Sequence, residues 1–538
     1  MSAPERAAEG RLDTVRAVLR TLQQAGLIDP RLIVSLVRAA RRHGSSIATG
    51  FAANAMVRPD DVAVIDEQRQ VTFRTLNDRM RSIAHGLRDL GIGPGSKLGI
   101  LCRNHAGFIE SMGAAGLLGA DTIFLNTGFA GPQLRDVVER EGIEAILYDE
   151  EFAEIVRAAP ESCARLLVWH EGEAEGPTLD RLAAHYAPDP VEKPPAPGRG
   201  TILTSGTTGT PKGAQRSSTG SDPMSSIGIL EILPVRVGAR ALVSAPMFHS
   251  WGLAQLLMGS VLGTTFILQR RFDPENVLAA IDRHRAELLV VVPVMLQRIL
   301  ALGPERIGRY DTRSLRGTLA SGSALPGELA LRWMDTFGDN LYNFYGSTEV
   351  AQASIASPED LRAAPGTAGR VPRGTVVKIL DEKGREVPQG ETGRIFVANA
   401  MQFEGYTGGG NKEIVDGMMS VGDLGWFDED GRLFVGGRDD DMIVSGGENV
   451  FPREVEDLLS DREDVHEAAV IGVPDEEFGQ RLRAFVVMEP GRSFDEDELK
   501  TFVKSRLARH KVPREVIQVD ELPRNPTGKV LKRVLREW

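Results

Sequence analysis

Short apolar runs alternate with amphipathic ones from about residue 50 to residue 435, and this alternation restricts the fold more than any other feature of the 538-residue chain. AELLVVVP (286–293) reads as a buried strand. LPGELALRWMDTFG (325–338) reads as a helix, with Pro326 early and Gly338 at its end. DNLYNF (339–344) is strand-like again. Alternation of this kind predicts α/β layers. Past residue 370 the pattern shifts to short strands with polar turns. TVVKILDEKGRE (375–386) and GWFDEDGRLFVGG (425–437) read as hairpins of a β-rich subdomain. A glycine-rich, charged junction, GGRDDDMIVSGG (436–447), follows. Beyond it lies a small α+β domain. FPREVEDLLS (451–460) is a helix, EAAVIGV (467–473) and RAFVVM (483–488) are strands, and SFDEDELKTFVKSRL (493–507) is a helix opened by a capping box of Ser493 and Glu496.

Residues 1–50 form a helical extension. Leu12, Val15, Val18, Leu19 and Leu22 recur at helical spacing, and a second helix opens at Asp29 and Pro30 and stops near Gly44. Arg31, Arg38, Arg41 and Arg42 make that second helix basic. It is expected to pack on the main body with its arginines solvated; weak peripheral contact with an anionic membrane is the alternative. Composition narrows the function classes. A net charge of -12 disfavours nucleic acid as a partner. Two cysteines, Cys102 and Cys163, exclude a disulfide framework and a cysteine-rich zinc site. The first ten residues lack the apolar core of a signal peptide, and no apolar run reaches 18 residues, so a cytoplasmic location is expected. The oligomeric state is left open.

The stretch TSGTTGTPKG (204–213) cannot build a core. Its glycines let backbone N–H groups approach an anion, its hydroxyls add donors, and its lysine adds a point charge. It is not a Walker A loop, because Lys212 follows Pro211 and precedes Gly213 rather than a hydroxyl residue. By itself it suits a phosphate cradle and a surface turn equally.

Its company decides. FHSWG (248–252), SGSALP (321–326), YGSTE (345–349), VGDLG (421–425), GRDDD (437–441), SGGENVFP (445–452) and NPTGK (525–529) follow in that order. This ordered series resembles the adenylate-forming superfamily of acyl-CoA and aryl-CoA synthetases, peptide-synthetase adenylation domains and luciferases. The resemblance runs from residue 50 to the end. It implies a large AMP-binding domain over 51–437 and a small mobile domain over 438–538. It also implies ATP, Mg2+ and coenzyme A as the small molecules handled beside a carboxylic acid.

The resemblance further implies roles. Thr204, Ser205, Gly206, Thr207, Thr208 and Lys212 would hold the β- and γ-phosphates. Lys529 would bridge the acid's carboxylate and the α-phosphate. Glu349 would hold the metal, and Thr348 would touch the AMP phosphate. Gly322, Ser323, Ala324, Tyr345 and Gly346 would form the adenine slot, with Tyr345 as stacking face. Asp423 and Arg438 would take the ribose, although DGMMSVGD (416–423) and YTGGGNKEIVDG (406–417) depart from the family's usual residues there. Asp440 would be the hinge about which the small domain turns between half-reactions. Ser445, Gly446 and Gly447 would line the path of the thiol. His249, with Trp251, would gate the acyl pocket.

The implied reaction is acid–thiol ligation through an acyl-AMP. The apolar run after His249, LAQLLMGSVLG (253–263), favours a medium- or long-chain fatty acid, with an aryl acid or transfer to a separate carrier protein as alternatives. A non-catalytic nucleotide-binding protein is disfavoured because Lys529, Glu349 and Asp423 are all present. A serine hydrolase is disfavoured because no G-x-S-x-G elbow occurs.

Overall fold

The computed structural model describes residues 17–204, 212–216, 223–407, 409–441, 443–445, 448–475, 479–525 and 528–538. Two sheets dominate the large domain. One has eight strands, ordered Ser354–Ala356, Leu341–Tyr345, Gly317–Ala320, Leu288–Val291, Arg240–Val243, Thr265–Leu268, Val62–Ile65 and Gln70–Thr72. The other has seven, ordered Gly405–Tyr406, Lys212–Arg216, Gly200–Thr204, Asp121–Phe124, Lys97–Leu101, Ala145–Asp149 and Ala164–Trp169. Interior pairs in both are parallel, and antiparallel strands occur at the edges. Parallel strands are covered on both faces, which is why Leu288–Val291 is apolar and buried at every position.

One core joins the sheets. Val64, Phe266 and Val243 of the first share it with Leu98, Phe124 and Ile202 of the second, through helices Ile47–Val57, Phe73–Asp89, Ala106–Leu118 and Ser250–Leu262. Buried Asn104 pins the junction. Its amide donates to the carbonyls of Val243 and Ala245 (3.0 and 2.9 Å) and accepts from the Met247 N–H (2.9 Å). This fixes the segment that delivers His249. The two cysteines are free and buried.

The β-rich subdomain is a five-stranded sheet built on Met418–Phe427, which pairs antiparallel with Gly393–Asn399 and with Leu433–Arg438. The turn expected after Leu380 forms, with the Asp381 N–H donating to the Arg385 carbonyl, but the main ladder partner of Thr375–Leu380 is Gly393–Asn399. The small domain wraps helices Pro452–Ser460 and Glu496–Lys504 on a sheet whose long hairpin is Val465–Asp475 with Gly479–Met488. Here the expected capping box is corrected. Asp495, not Ser493, caps the helix by accepting from the Glu498 N–H (3.0 Å), because Phe494 is held against the core and keeps the preceding segment extended.

At the N-terminus the chain is helical over 17–24 and again over Pro30–His43. Asp29 caps the second helix by accepting from the Arg31 N–H, and Gly44 closes it at φ 76°, as the sequence leads one to expect. Leu32, Ser35, Ala39 and His43 turn inward. No helix among the described residues is long and apolar enough to cross a membrane.

Candidate active site

In parallel sheets ligands collect where strands end at their carboxyl edge. Four of the sequence motifs leave such edges. His249 follows Arg240–Val243, Ser321–Ala324 follow Gly317–Ala320, Gly346–Glu349 follow Leu341–Tyr345, and the 204–213 loop leaves Gly200–Thr204. The first three, with Lys212 of the fourth and with Asp423, Arg438 and Lys529, line one cavity of about 2040 Å³ between the large and small domains. Gly322, Ser323, Ala324, Tyr345, Gly346, Thr348, Glu349, Lys212 and His249 line it too.

Asp423 sits at the middle of the polar wall. The Tyr345 hydroxyl donates to its Oδ2 (2.6 Å), and Arg438 reaches its Oδ1 at 3.4 Å. Burial raises the Asp423 pKa, opposed by Tyr345, Arg438, Lys529 and Lys412. Burial and the neighbouring carboxylate push the Tyr345 phenol well up, so it stays a donor. Tyr345 was expected only as a stacking face; its hydroxyl also orients the carboxylate. The unusual residues upstream are accounted for by packing. Met419 and Val421 are buried in the subdomain core, and Ser420 Oγ accepts from the Gly422 N–H.

Gly346 has no room for a side chain. A Cβ there would lie 2.2 Å from the Ala351 carbonyl oxygen, so the tight loop carrying Thr348 and Glu349 requires glycine. Glu349 is 8% exposed. Its Oε1 accepts from the Tyr406 hydroxyl (2.5 Å), and its carbonyl accepts from the Phe403 N–H. The Lys212 amine lies over the Tyr406 ring, 5.5 Å from its centroid. Next along, the Thr407 N–H donates to the Gly213 carbonyl (2.7 Å), and Thr407 Oγ1 accepts from the Gly213 N–H and donates to Glu141. Tyr406 and Thr407 thus brace Glu349, the metal-ligand candidate, and the strand carrying Lys212 together. Sequence reasoning missed both residues. The one signal was an aromatic–hydroxyl pair ahead of three glycines.

Ser205, Gly206, Thr207 and Thr208 lie outside the described residues, as do Gly446 and Gly447. The backbone of Thr204 pairs antiparallel with that of Lys212. Asp440 falls within a short 3-10 turn, Asp439–Asp441, directly after the strand that ends in Arg438. Ser445 ends the strand Ile443–Ser445. Lys529 lies on the small domain, where its carbonyl accepts from the Asn525 N–H and its own N–H donates to Asn525 Oδ1 (both 2.9 Å). Gly528 beside it abuts Val294 of the large domain, where a Cβ would come within 2.6 Å of a methyl group. The conformation therefore presents Lys529 to the nucleotide motifs.

His249 faces the cavity with its Nε2 buried and without a hydrogen-bond partner among the described residues. Burial holds its pKa down to about 4, so the ring is neutral at pH 7. Trp251 does not share a swinging role. Its indole N–H donates to the Val291 carbonyl (3.0 Å) and its ring rests 4.7 Å from that of Phe344, so it is a fixed wall.

Among the described residues, three-membered groups of possible metal ligands occur once, at Cys102, His105 and Asp149, which lie apart from the cleft-lining residues. A cation in the cleft would therefore rest on Glu349 and on phosphate oxygens. That is a donor set suited to Mg2+, which keeps few protein ligands.

A two-layered α/β body with a small α+β domain across its nucleotide cleft defines an adenylate-forming enzyme. The chain belongs to the AMP-binding enzyme family: that family matches residues 51–407, and the AMP-binding enzyme C-terminal domain matches residues 454–529. It is 35% identical over 487 residues to a feruloyl-CoA synthase of an Amycolatopsis species, spanning 90% of this chain and 96% of that one. It is 31% identical over 498 residues to the fatty acid–[acyl-carrier-protein] ligase ScoC of Streptomyces coeruleorubidus, spanning 90% and 94%. The crystal structure of the anthranilate CoA ligase AuaEII in complex with anthranoyl-AMP superposes with a TM-score of 0.83 at 25% identity, covering 91% of this chain and 96% of that one.

Proposed function

We propose that this enzyme, an AMP-forming acid–thiol ligase using ATP, Mg2+ and coenzyme A, activates an aromatic carboxylic acid. The observation that carries the choice of acid is the Trp251–Phe344 wall. Two rings, one locked by a hydrogen bond, line the cavity beside neutral His249. Such a wall suits offset or edge stacking of a planar ring. The feruloyl and anthranoyl groups handled by the similar proteins are planar aromatics.

This reading replaces the fatty acid expected from the apolar run after His249. Part of that run is spent on packing. Leu256 is buried in the core, and Gly259 abuts Phe266, where a Cβ would come within 2.5 Å of the ring. Leu253, Leu257, Met258, Val261 and Leu262 still line the cavity, and with the likeness to ScoC they support a fatty acid as the second reading.

In the first half-reaction the acid's carboxylate oxygen bonds to the α-phosphorus of ATP and the bond to the β-phosphate oxygen breaks, releasing pyrophosphate. Lys529 places positive charge where two anions must meet, while residues 204–208 and Lys212 hold the departing pyrophosphate. Asp423, held by Tyr345, accepts the ribose hydroxyls, and Arg438 donates nearby. Bound at Glu349, Mg2+ supplies charge neutralisation for the phosphates. In the second half-reaction the thiol of coenzyme A bonds to the acyl carbon and AMP leaves. Rotation about Asp440 withdraws Lys529 and brings residues 445–447 forward. His249 and the aromatic wall keep the acid's ring oriented throughout.

Mass spectrometry of the purified protein with ATP, Mg2+ and a panel of aryl, fatty and amino acids, each with and without coenzyme A, tests the reading. Aryl-CoA and AMP appearing only with coenzyme A is the expected outcome. Preference for long fatty acids would reverse the choice of acid, and acyl-AMP persisting despite coenzyme A would point to a carrier protein.

A further inference from the structure

Helix Pro30–His43 is apolar on two faces. Leu32, Ser35 and Ala39 are buried against the body, yet Ile33, Val34 and Val37 are 47, 47 and 46% exposed. Leu19 and Ile28, in the segment leading into it, are exposed as well. A helix on a solvated surface normally turns polar residues outward. Here branched aliphatics stand out instead, on a convex rod rather than in a groove.

Cations frame them. Arg31, Arg38, Arg41 and Arg42 are exposed, and none pairs with a carboxylate among the described residues. Residues 17–46 carry five arginines and one aspartate in a chain whose net charge is -12. The local charge is therefore opposite to that of the whole. This disfavours a second copy as occupant, because a two-fold contact would set arginine against arginine. It favours a flat, anionic, partly apolar surface. The acid-binding cavity reaches the same part of the molecule. Leu22 and Leu27 line it with Leu257 and Val261, which are themselves partly in solvent.

We propose that this face docks on an anionic lipid bilayer, with Ile33, Val34 and Val37 entering the headgroup–acyl boundary and the four arginines meeting lipid phosphates. An apolar ridge flanked by cations is what binding at such a boundary requires. Docking there brings the mouth of the cavity near carboxylic acids that partition into the membrane.

The test is co-sedimentation of the full chain with phosphatidylcholine vesicles, with and without phosphatidylglycerol. Two variants are compared: Arg31→Gln/Arg38→Gln/Arg41→Gln/Arg42→Gln and Ile33→Ser/Val34→Ser/Val37→Ser. Wild type should bind only the phosphatidylglycerol vesicles, less so as salt rises. The glutamine variant should bind at least ~100-fold more weakly, since each arginine at an anionic surface contributes roughly fivefold. The serine variant should lose roughly tenfold or more. Both should form acyl-AMP from a water-soluble acid at the wild-type rate, which shows that they fold. Failure of wild type to bind the anionic vesicles, or binding by either variant as tight as wild type's, overturns the proposal. So does a wild-type dimer in lipid-free ultracentrifugation that the serine variant abolishes, which would make the face an interface between copies.

Discussion

Replacing Tyr406 with phenylalanine removes one oxygen atom and leaves the ring. That atom is the one seen at 2.5 Å from Glu349 Oε1, on a carboxylate only 8% exposed. Burial, followed by the bond to Glu349, raises the Tyr406 pKa, so the phenol donates throughout the working pH range. A charge-assisted hydrogen bond contributes about 1.5–3 kcal/mol, and leaving a buried carboxylate oxygen unpaired exposes that full cost. If Glu349 holds Mg2+ against the phosphates, the variant's carboxylate is no longer aimed. The Mg2+-dependent step should then weaken roughly 10- to 100-fold. The Lys212 amine keeps its place over the ring, which separates the hydroxyl's role from the ring's. Two readouts check this: the Mg2+ concentration for half-maximal acyl-AMP formation, and Mn2+ binding by spin resonance with a non-hydrolysable ATP analogue. Thioester formation from supplied acyl-AMP should not change. A double-mutant cycle with Glu349→Gln should give a coupling above about 1 kcal/mol. If Tyr406→Phe retains wild-type metal dependence while Tyr406→Ala does not, the ring packs and the hydroxyl orients nothing.

Three further outcomes follow from the geometry. Lys529→Ala should nearly abolish acyl-AMP formation yet convert supplied acyl-AMP to thioester; surviving adenylation would remove Lys529 from its role. Asp440→Pro should slow the thioester step more than adenylation by stiffening the turn between the domains, and equal loss in both half-reactions would count against domain rotation. His43 is 3% exposed, and burial, then Arg81 and Arg42, lower its pKa from 6.5 to about 4. The unfolded chain therefore takes up the proton first, so His43's effect on stability is flat above about pH 6.5 and stability falls as pH drops toward 4. At pH 5 the loss comes to about 2 kcal/mol, and the acid shift in unfolding midpoint should shrink in His43→Gln.

Local order was legible along the chain because it depends on neighbours in sequence. The alternation of Leu288–Val291 with Gly327–Phe337 predicts α/β layers, and the Asp29–Pro30 start and Gly44 stop predict a helix that forms as expected. The cap at Asp495 was misplaced by two residues, since it depends on where Phe494 packs. Motif order pointed to the family and to residues that the fold gathers around one cavity, because each motif is a short loop whose residue types carry its chemistry. The partners that aim those residues were not legible. Tyr345 meets Asp423 across 78 positions and Tyr406 meets Glu349 across 57, and no periodicity connects residues so far apart.

The sequence by itself therefore determined the reaction class, through glycines, hydroxyls, carboxylates and lysines set in order along loops. Only the tertiary structure decided which side chains hold them. It turned the apolar run after His249 partly into core, made Trp251 a fixed wall, and left a second apolar face on helix Pro30–His43. The physical reason is the same in each case. A hydrophobic residue's role is set by what lies opposite it, and packing partners come from strands and helices brought together only when the two sheets close on their common core.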